Sequence, residues 1–274
     1  MKILHLSDTH YAQVIDDPEL KVVLESQVSL VDKLQQILQH EDLSTFDFVM
    51  VTGDLVHEGT AEDYQQLDQL LKSVFAPLPI YYCLGNHDRK PVFYEGMQGE
   101  KRLDNFDYAF EWKDVQMIVL DSAKNHSHSG ILDPSQIDWL KQTLKVSSFP
   151  KMIFLHHPII GGPYFDKFTF EDPQPVLDLI NSNQIIGVFT GHTHSPAINF
   201  ASNTKQYTNY AMSFGLEKQR DGSQIFTNTC GYSVIEYRNH SELTVAPRII
   251  QPAYTCYKST SSEEMDSLNK SYEL

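Results

Sequence analysis

Cysteine is scarce. Three residues in 274, Cys83, Cys230 and Cys256, form no Cys-x-x-Cys pair and no disulfide framework. That scarcity points to a reducing compartment, and Cys83, inside an apolar run, reads as a small core hydrophobe. Basic charge is also short: 21 Lys and Arg stand against 36 Asp and Glu, a formal charge of −15. A broad nucleic-acid surface, which needs a basic face, is therefore not expected. Small anionic substrates stay admissible, because bound cations reverse a local field. No apolar stretch approaches the ~20 residues of a membrane span. Met1-Lys2 runs directly into the first apolar segment, which leaves no room for a signal peptide, so a cytoplasmic protein is expected.

The chain does contain a repeated ending. The apolar run Ile80-Tyr81-Tyr82-Cys83-Leu84 opens into Gly85-Asn86-His87-Asp88. Alone, that tetrapeptide is ordinary turn chemistry. However, Ile3–Ser7 runs into Asp8-Thr9-His10, and Phe48–Thr52 into Gly53-Asp54. Met152–Leu155 runs into His156-His157-Pro158, and Ile185–Thr190 into Gly191-His192-Thr193-His194. Open α/β sheets place their chemistry at such carboxyl ends.

Between these runs the periodicity turns helical. Leu24, Val28, Val31, Leu34 and Leu38 predict one amphipathic helix. Thr60 with Asp63 predicts a capping box ahead of Tyr64, Leu67, Leu71 and Val74. The alternation up to residue 84 implies a mostly parallel sheet with helices on its faces. Residues 89–105 read as a loop or short helix, and Asp133-Pro134-Ser135-Gln136 is a helix start. After residue 200, Asp221-Gly222 and Arg238-Asn239-His240-Ser241 separate apolar runs as hairpin turns do. The expectation is one domain over residues 1–256 and a polar tail over 257–274. In the long loop from Ile159 to Pro175, Tyr164, Phe165, Phe168 and Phe170 read mostly as packing. One or two of them are expected to line a pocket.

Asp8 and His10, like His192 and His194, are two apart, so in extended backbone each pair points one way. Asp8, His10, Asp54, Asn86, His156, His192 and His194 form a mixed oxygen and nitrogen set that suits Mn, Fe or Zn. Seven donors exceed the need of one tetrahedral ion and suffice for two. His57 reads as a solvated loop residue, and His126 and His128 as surface residues. His157 adjoins a donor.

Asp-x-His, Gly-Asp, Gly-Asn-His-Asp, His and Gly-His-x-His, in this order over residues 8–194, resemble the calcineurin-like metallophosphoesterases. The resemblance implies a four-layer α/β/β/α sandwich of two mixed β-sheets flanked by helices. It implies that Asp8, His10, Asp54 and His194 hold a first metal, with Asp54 bridging to a second held by Asn86, His156 and His192. His87 would contact the phosphate and protonate the leaving oxygen. Asp88 joins it as a candidate catalytic residue, either orienting His87 or capping the turn. The second His of His156-His157 is not a ligand by this resemblance. Two cations close together activate a bridging hydroxide and grip the phosphoryl oxygens, and iron or manganese is expected ahead of zinc.

Among branches, the Asn86–Arg89 run followed by Pro91, and His156-His157-Pro158, are most similar to bacterial class III cyclic-nucleotide phosphodiesterases and their glycerophosphodiester-cleaving relatives. Cyclic AMP is the first expectation for a small phosphodiester substrate. A DNA exonuclease ranks second, since the chain lacks that branch's length and basic charge. A protein phosphatase ranks lower, because Gly53–Gly59 carries no arginine. A homodimer is carried by the resemblance alone. The non-enzyme alternative is a metal-binding scaffold that has lost catalysis.

Overall fold

In the first strand, Ile3 joins one apolar cluster while Leu4 and Leu6 join another, as period-two alternation requires of a strand covered on both faces. The same split recurs along the following strands, and it sets the layers. The computed structural model describes residues 1–12, 18–25, 29–124, 127–161, 169–201, 203–250, 256–264 and 267. The first half contains β1 (Lys2–Leu6), α1 (Pro18–Glu25), α2 (Leu30–His40), β2 (Phe48–Thr52), α3 (Ala61–Phe75), β3 (Ile80–Cys83) and α4 (Lys90–Gln98). Next come β4 (Tyr108–Trp112), β5 (Val115–Val119), α5 (Pro134–Val146), β6 (Lys151–Phe154), α6 (Gln174–Asn181) and β7 (Ile185–Thr190). The remaining strands are β8 (Ala197–Ala201), β9 (Thr204–Thr208), β10 (Gly215–Lys218), β11 (Gln224–Thr227), β12 (Gly231–Arg238), β13 (Glu242–Ile249) and β14 (Cys256–Thr260).

A five-stranded sheet has the order β13-β12-β1-β2-β3, and a six-stranded sheet the order β4-β5-β6-β7-β9-β8. Both are mixed. β1, β2 and β3 are parallel, as are β5, β6, β7 and β9, while the flanking strands are antiparallel. Ile3, Phe48, Met50 and Cys83 of one sheet meet Met117, Met152, Phe154 and Phe189 of the other. Leu4, Leu6, Val49 and Val51 face outward onto Leu34 and Ile37 of α2 and Tyr64, Leu67 and Leu71 of α3. Ile118, Ile153 and Val188 face α5 and α6 through Leu140, Leu144 and Ile180. This is the α/β/β/α sandwich, and Cys83 is a buried free thiol within it.

The capping boxes of α3 at Thr60 and α5 at Asp133 both form, and residues 90–98 are the short helix. The single helix predicted from Leu24 to Leu38 is two helices. Ser29 caps the second by accepting from Asp32 N. Its buried face is Lys33, Leu34 and Ile37, whereas Val31 and Leu38 are 42% and 39% exposed. Polar Lys33 belongs to the inner face because its ammonium donates to Met212 O and Ser213 O.

A third sheet, β10-β11-β14, was not foreseen. It takes Cys256–Thr260 into a strand against β11, so the segment read as a tail from residue 257 begins inside a strand. Main-chain pairing needs no apolar pattern. No helix of the described residues is long and apolar enough to cross a membrane.

Candidate metal centre

The loops that leave β1 and β2 run on side by side. Asp8 N donates to Gly53 O, His10 N to Asp54 O and Tyr11 N to Leu55 O, each at 3.0 Å. Gly191 N donates to His156 O at 2.9 Å in the other sheet. Parallel strands thus deliver their ends to one edge of the sandwich. The backbone there is not extended: φ is +53° at Asp8, +42° at His10, +47° at Asp54, +73° at His192 and +52° at His194. Each such residue costs on the order of 1 kcal/mol or more, and strain of this kind collects at functional sites. The extended geometry assumed for the paired donors is thereby corrected. His192 and His194 turn to different partners.

The glycines of the motifs make room. A Cβ on Gly85 would overlap Asp54 Oδ1, and one on Gly191 would overlap Ser7 Oγ and Asp8 Oδ2. Gly is needed here for close approach of backbone to a donor.

Side chains of all seven donor residues come together. Asp8, His10, Asp54 and His194 are buried, with ligand atoms within 4.8 Å of one another. His10 Nε2 lies 3.1 Å from His194 Nε2 and 3.5 Å from Asp54 Oδ2, and His194 Nε2 lies 3.4 Å from Asp8 Oδ1. His156 Nε2 is 3.1 Å from Asn86 Oδ1, 3.2 Å from His192 Nδ1 and 3.3 Å from the same Asp54 Oδ2. One carboxylate oxygen therefore touches both groups.

The donor set fits cations. His194 Nδ1 donates to Phe214 O at 2.8 Å and His156 Nδ1 to Thr52 O at 2.9 Å. This leaves each Nε2 as the lone pair available to a metal, oriented by its outer hydrogen bond. At His194 that lone pair faces the His10 nitrogen. Burial opposes charge on His156, yet Asp54 beside it pushes its pKa up to about 9. Burial also opposes charge on Asp54, but His156, His87 and His10 hold its carboxyl well below the usual range. Burial and the neighbouring His156 bring His192 down to about 3.

His87 lies beside this centre. Its backbone N donates to Asp54 Oδ1 at 2.9 Å, and its Nδ1 is buried without a hydrogen-bond partner among the described residues. Glu58 Oε1, at 3.9 Å, is beyond bonding reach. Asp88 has a different surrounding. Its carboxylate accepts from Leu55 N, Val56 N, Gly85 N and the Tyr64 hydroxyl, tying the loop after β2 to the loop after β3. None of these partners is the His87 ring, so Asp88 acts on the site through position. Burial, with Asp54 nearby, raises its pKa to about 7 against those amide bonds.

Two further histidines, His57 and His128, stand elsewhere than their sequence context implied, and His157 stands where its place beside His156 puts it. His57, read as solvated, is half-buried with Nδ1 3.0 Å from His10 Nδ1. His128, read as a surface residue, is half-buried with Nδ1 3.2 Å from Asn86 Nδ2. His157 is fully buried beside His156 and His192; its Nδ1 meets Ser122 Oγ at 2.8 Å and its Nε2 has no partner among the described residues. His126, and Tyr164, Phe165 and Phe168 of the aromatic loop, lie outside the described residues. Phe170 packs in the core beneath α5 and α6. These contacts join loops from separate strands, and no local pattern announces them. His57 and His157 had a signal, the one three residues past Asp54 on the same loop and the other next to His156.

A cleft of about 300 Å³ opens beside the centre, lined by Asn86, His87, Arg89, Lys124, Ser127 and His128 among others. Its cations have acidic partners: Arg89 with Glu58 at 2.6 Å, Lys90 with Asp121 at 2.9 Å and Lys124 with Glu171 at 3.2 Å.

Comparison with known proteins places the chain in a family. A probable cyclic nucleotide phosphodiesterase of Rhodococcus erythropolis is 25% identical over 260 residues, covering 87% of this chain and 84% of that one. A glycerophosphodiester phosphodiesterase of Enterobacter lignolyticus is 27% identical over 204 residues, 71% of each chain. A dimetal phosphatase of Danio rerio shares the fold with a TM-score of 0.61 at 15% identity, covering 94% of this chain and 99% of that one. The family model described as calcineurin-like phosphoesterase matches residues 1–196, and the chain belongs to that family.

Proposed function

We propose that this chain is a phosphodiesterase that hydrolyses small phosphodiesters, with 3′,5′-cyclic nucleotides, cyclic AMP first, as the leading substrate class. The observation that carries the reading is Asp54 Oδ2, shared between the His10 and His156 groups and buried behind a cleft lined by Asn86 and His87. Asp8, His10, Asp54 and His194 would hold one ion, and Asn86, His156 and His192 with Asp54 a second. Iron or manganese suits these donors, with zinc next. Two bound ions supply Lewis-acid stabilisation of phosphoryl oxygens and activate water near neutral pH.

The protein's own groups do the rest. Asp8 holds the loop bearing His192, whose N donates to its carboxylate at 3.1 Å. Asn86 Oδ1 lies 3.1 Å from His156 Nε2 and its Nδ2 meets His128 Nδ1, placing the cleft wall against the centre. In this reading His87 protonates the leaving alkoxide oxygen, which its place on the cleft wall beside the centre supports. The name of the Rhodococcus relative supports a cyclic nucleotide, and that of the Enterobacter relative supports a glycerophosphodiester as the second reading.

His87→Ala tests the assignment. The variant should keep its metal and lose about 10²–10⁴-fold on a ribose or alkyl leaving group, the scale of general acid catalysis. Bis(p-nitrophenyl) phosphate should lose far less, because p-nitrophenolate hardly needs a proton. An equal loss on both substrates removes the acid role, and loss of metal makes His87 a ligand. Rates of the wild type on cyclic AMP, a glycerophosphodiester and single-stranded DNA decide the substrate class.

A further inference from the structure

Three of the donor histidines have their Nδ1 engaged outside the centre, and one of these bonds is unlike the others. His156 and His194 bond main-chain oxygens, Thr52 O and Phe214 O. His10 Nδ1 faces another imidazole, His57 Nδ1, at 3.0 Å. Since His10 Nε2 is turned toward Asp54 and His194, the ligand form of His10 carries its proton on Nδ1. His57 Nδ1 then accepts it, and the His57 proton resides on Nε2.

While its edge meets His10, one face of the His57 ring supports His87. The two imidazoles stack with centroids 4.4 Å apart and planes inclined by 28°. His10 and His128 are more distant from His87, at 5.1 and 5.8 Å, and steeply tilted. Glu58 is committed to Arg89 at 2.6 Å. The His57 backbone is itself fixed, its N donating to Tyr11 O at 3.1 Å beside a bridge between Tyr11 and Val56.

We propose that His57 is a positioning residue that couples the first metal position to His87, accepting the Nδ1 proton of ligand His10 and carrying the His87 ring on its face. The inference rests on the two-metal reading above. Unlike the main-chain acceptors, this one can be replaced by substitution.

Two substitutions in the full chain separate the two roles. His57→Phe keeps a ring against His87 and removes the acceptor. His57→Asn offers an acceptor oxygen near the Nδ1 position and removes the ring. Metal-free proteins, matched for fold by circular dichroism, are titrated with cobalt(II) and followed by visible absorption and metal analysis. His57→Phe should weaken the first cobalt site about 10–100-fold, the usual effect of losing an outer partner of a ligand, and alter its spectrum. Its relative rates on alkyl and p-nitrophenyl diesters should match the wild type. His57→Asn should bind cobalt like the wild type, while its ratio of alkyl to p-nitrophenyl rates falls by about tenfold or more, within the range of general acid catalysis. Wild-type cobalt binding in His57→Phe, or an unchanged rate ratio in His57→Asn, overturns the proposal. A wild type that takes up no cobalt removes the two-metal reading and this inference with it. A wild type that binds cobalt without phosphodiesterase activity removes only the functional reading, and the cobalt titration still decides the His10 role.

Discussion

Asp54 Oδ2 stands 3.3 Å from His156 Nε2, in a place where neither residue meets water: their side chains are 2% and 0% exposed. The same oxygen lies 3.5 Å from His10 Nε2. A carboxylate placed between two donor groups is the natural bridge between two cations.

Asp54→Ala should therefore empty both sites rather than one. Metal analysis of the purified variant after dialysis is expected to find well under one ion per chain. Two tightly held ions would end the bridging assignment.

Asp88 makes its contribution before any substrate arrives. Asp88→Ala leaves the amides of Leu55, Val56 and Gly85 and the Tyr64 hydroxyl without their acceptor. At about 1–3 kcal/mol for each buried group left unsatisfied, the variant should lose about 3 kcal/mol or more in urea unfolding. Tyr64→Phe, which deletes one of these bonds at 3.0 Å, should lose about 1–2 kcal/mol. An Asp88→Ala variant as stable as the wild type would mean that the carboxylate is not the tie between the loops.

Asp107 provides a pH-dependent test away from the centre. Burial raises its pKa to about 6, against hydrogen bonds from Asp121 N and Gln136 that lower it. Its unfolded value is about 3.9, so the folded state holds the proton more tightly. That contribution to stability is fully present below about pH 3.9 and is lost as pH rises through about 6. Thermal melts of metal-free protein between pH 4 and 7 should show Asp107→Asn gaining on the wild type as pH rises. A difference that stays constant with pH would refute the shift.

Much of the sandwich was legible because strand faces and helix caps are local. Ile3 and Leu4 part company by the pleat alone, and Thr60 with Asp63 caps α3 by main-chain geometry alone. Strands such as β8 and β14 were not legible. β8 exposes Ile198 and Phe200 and is held to β9 by main-chain bonds, which leave little trace in residue type. The stripe from Leu24 to Leu38 misled for a related reason: Lys33 goes inside because two carbonyls from the 212–213 segment await it.

Residue type and chain order by themselves determined where the donors stand, at the ends of apolar runs, and that they are oxygen and nitrogen rather than sulfur. Tertiary structure decided which donors face each other. Left-handed backbone at Asp8, His10, Asp54, His192 and His194 aims the side chains, and that conformation is held by bonds between loops far apart in sequence. Tertiary structure likewise decided that His57 and His128 belong beside the centre, whereas Asp88 holds the loops. The physical reason is common to all of them. Periodicity reports which side of an element is buried, while the distance between two loop side chains depends on how two sheets stack.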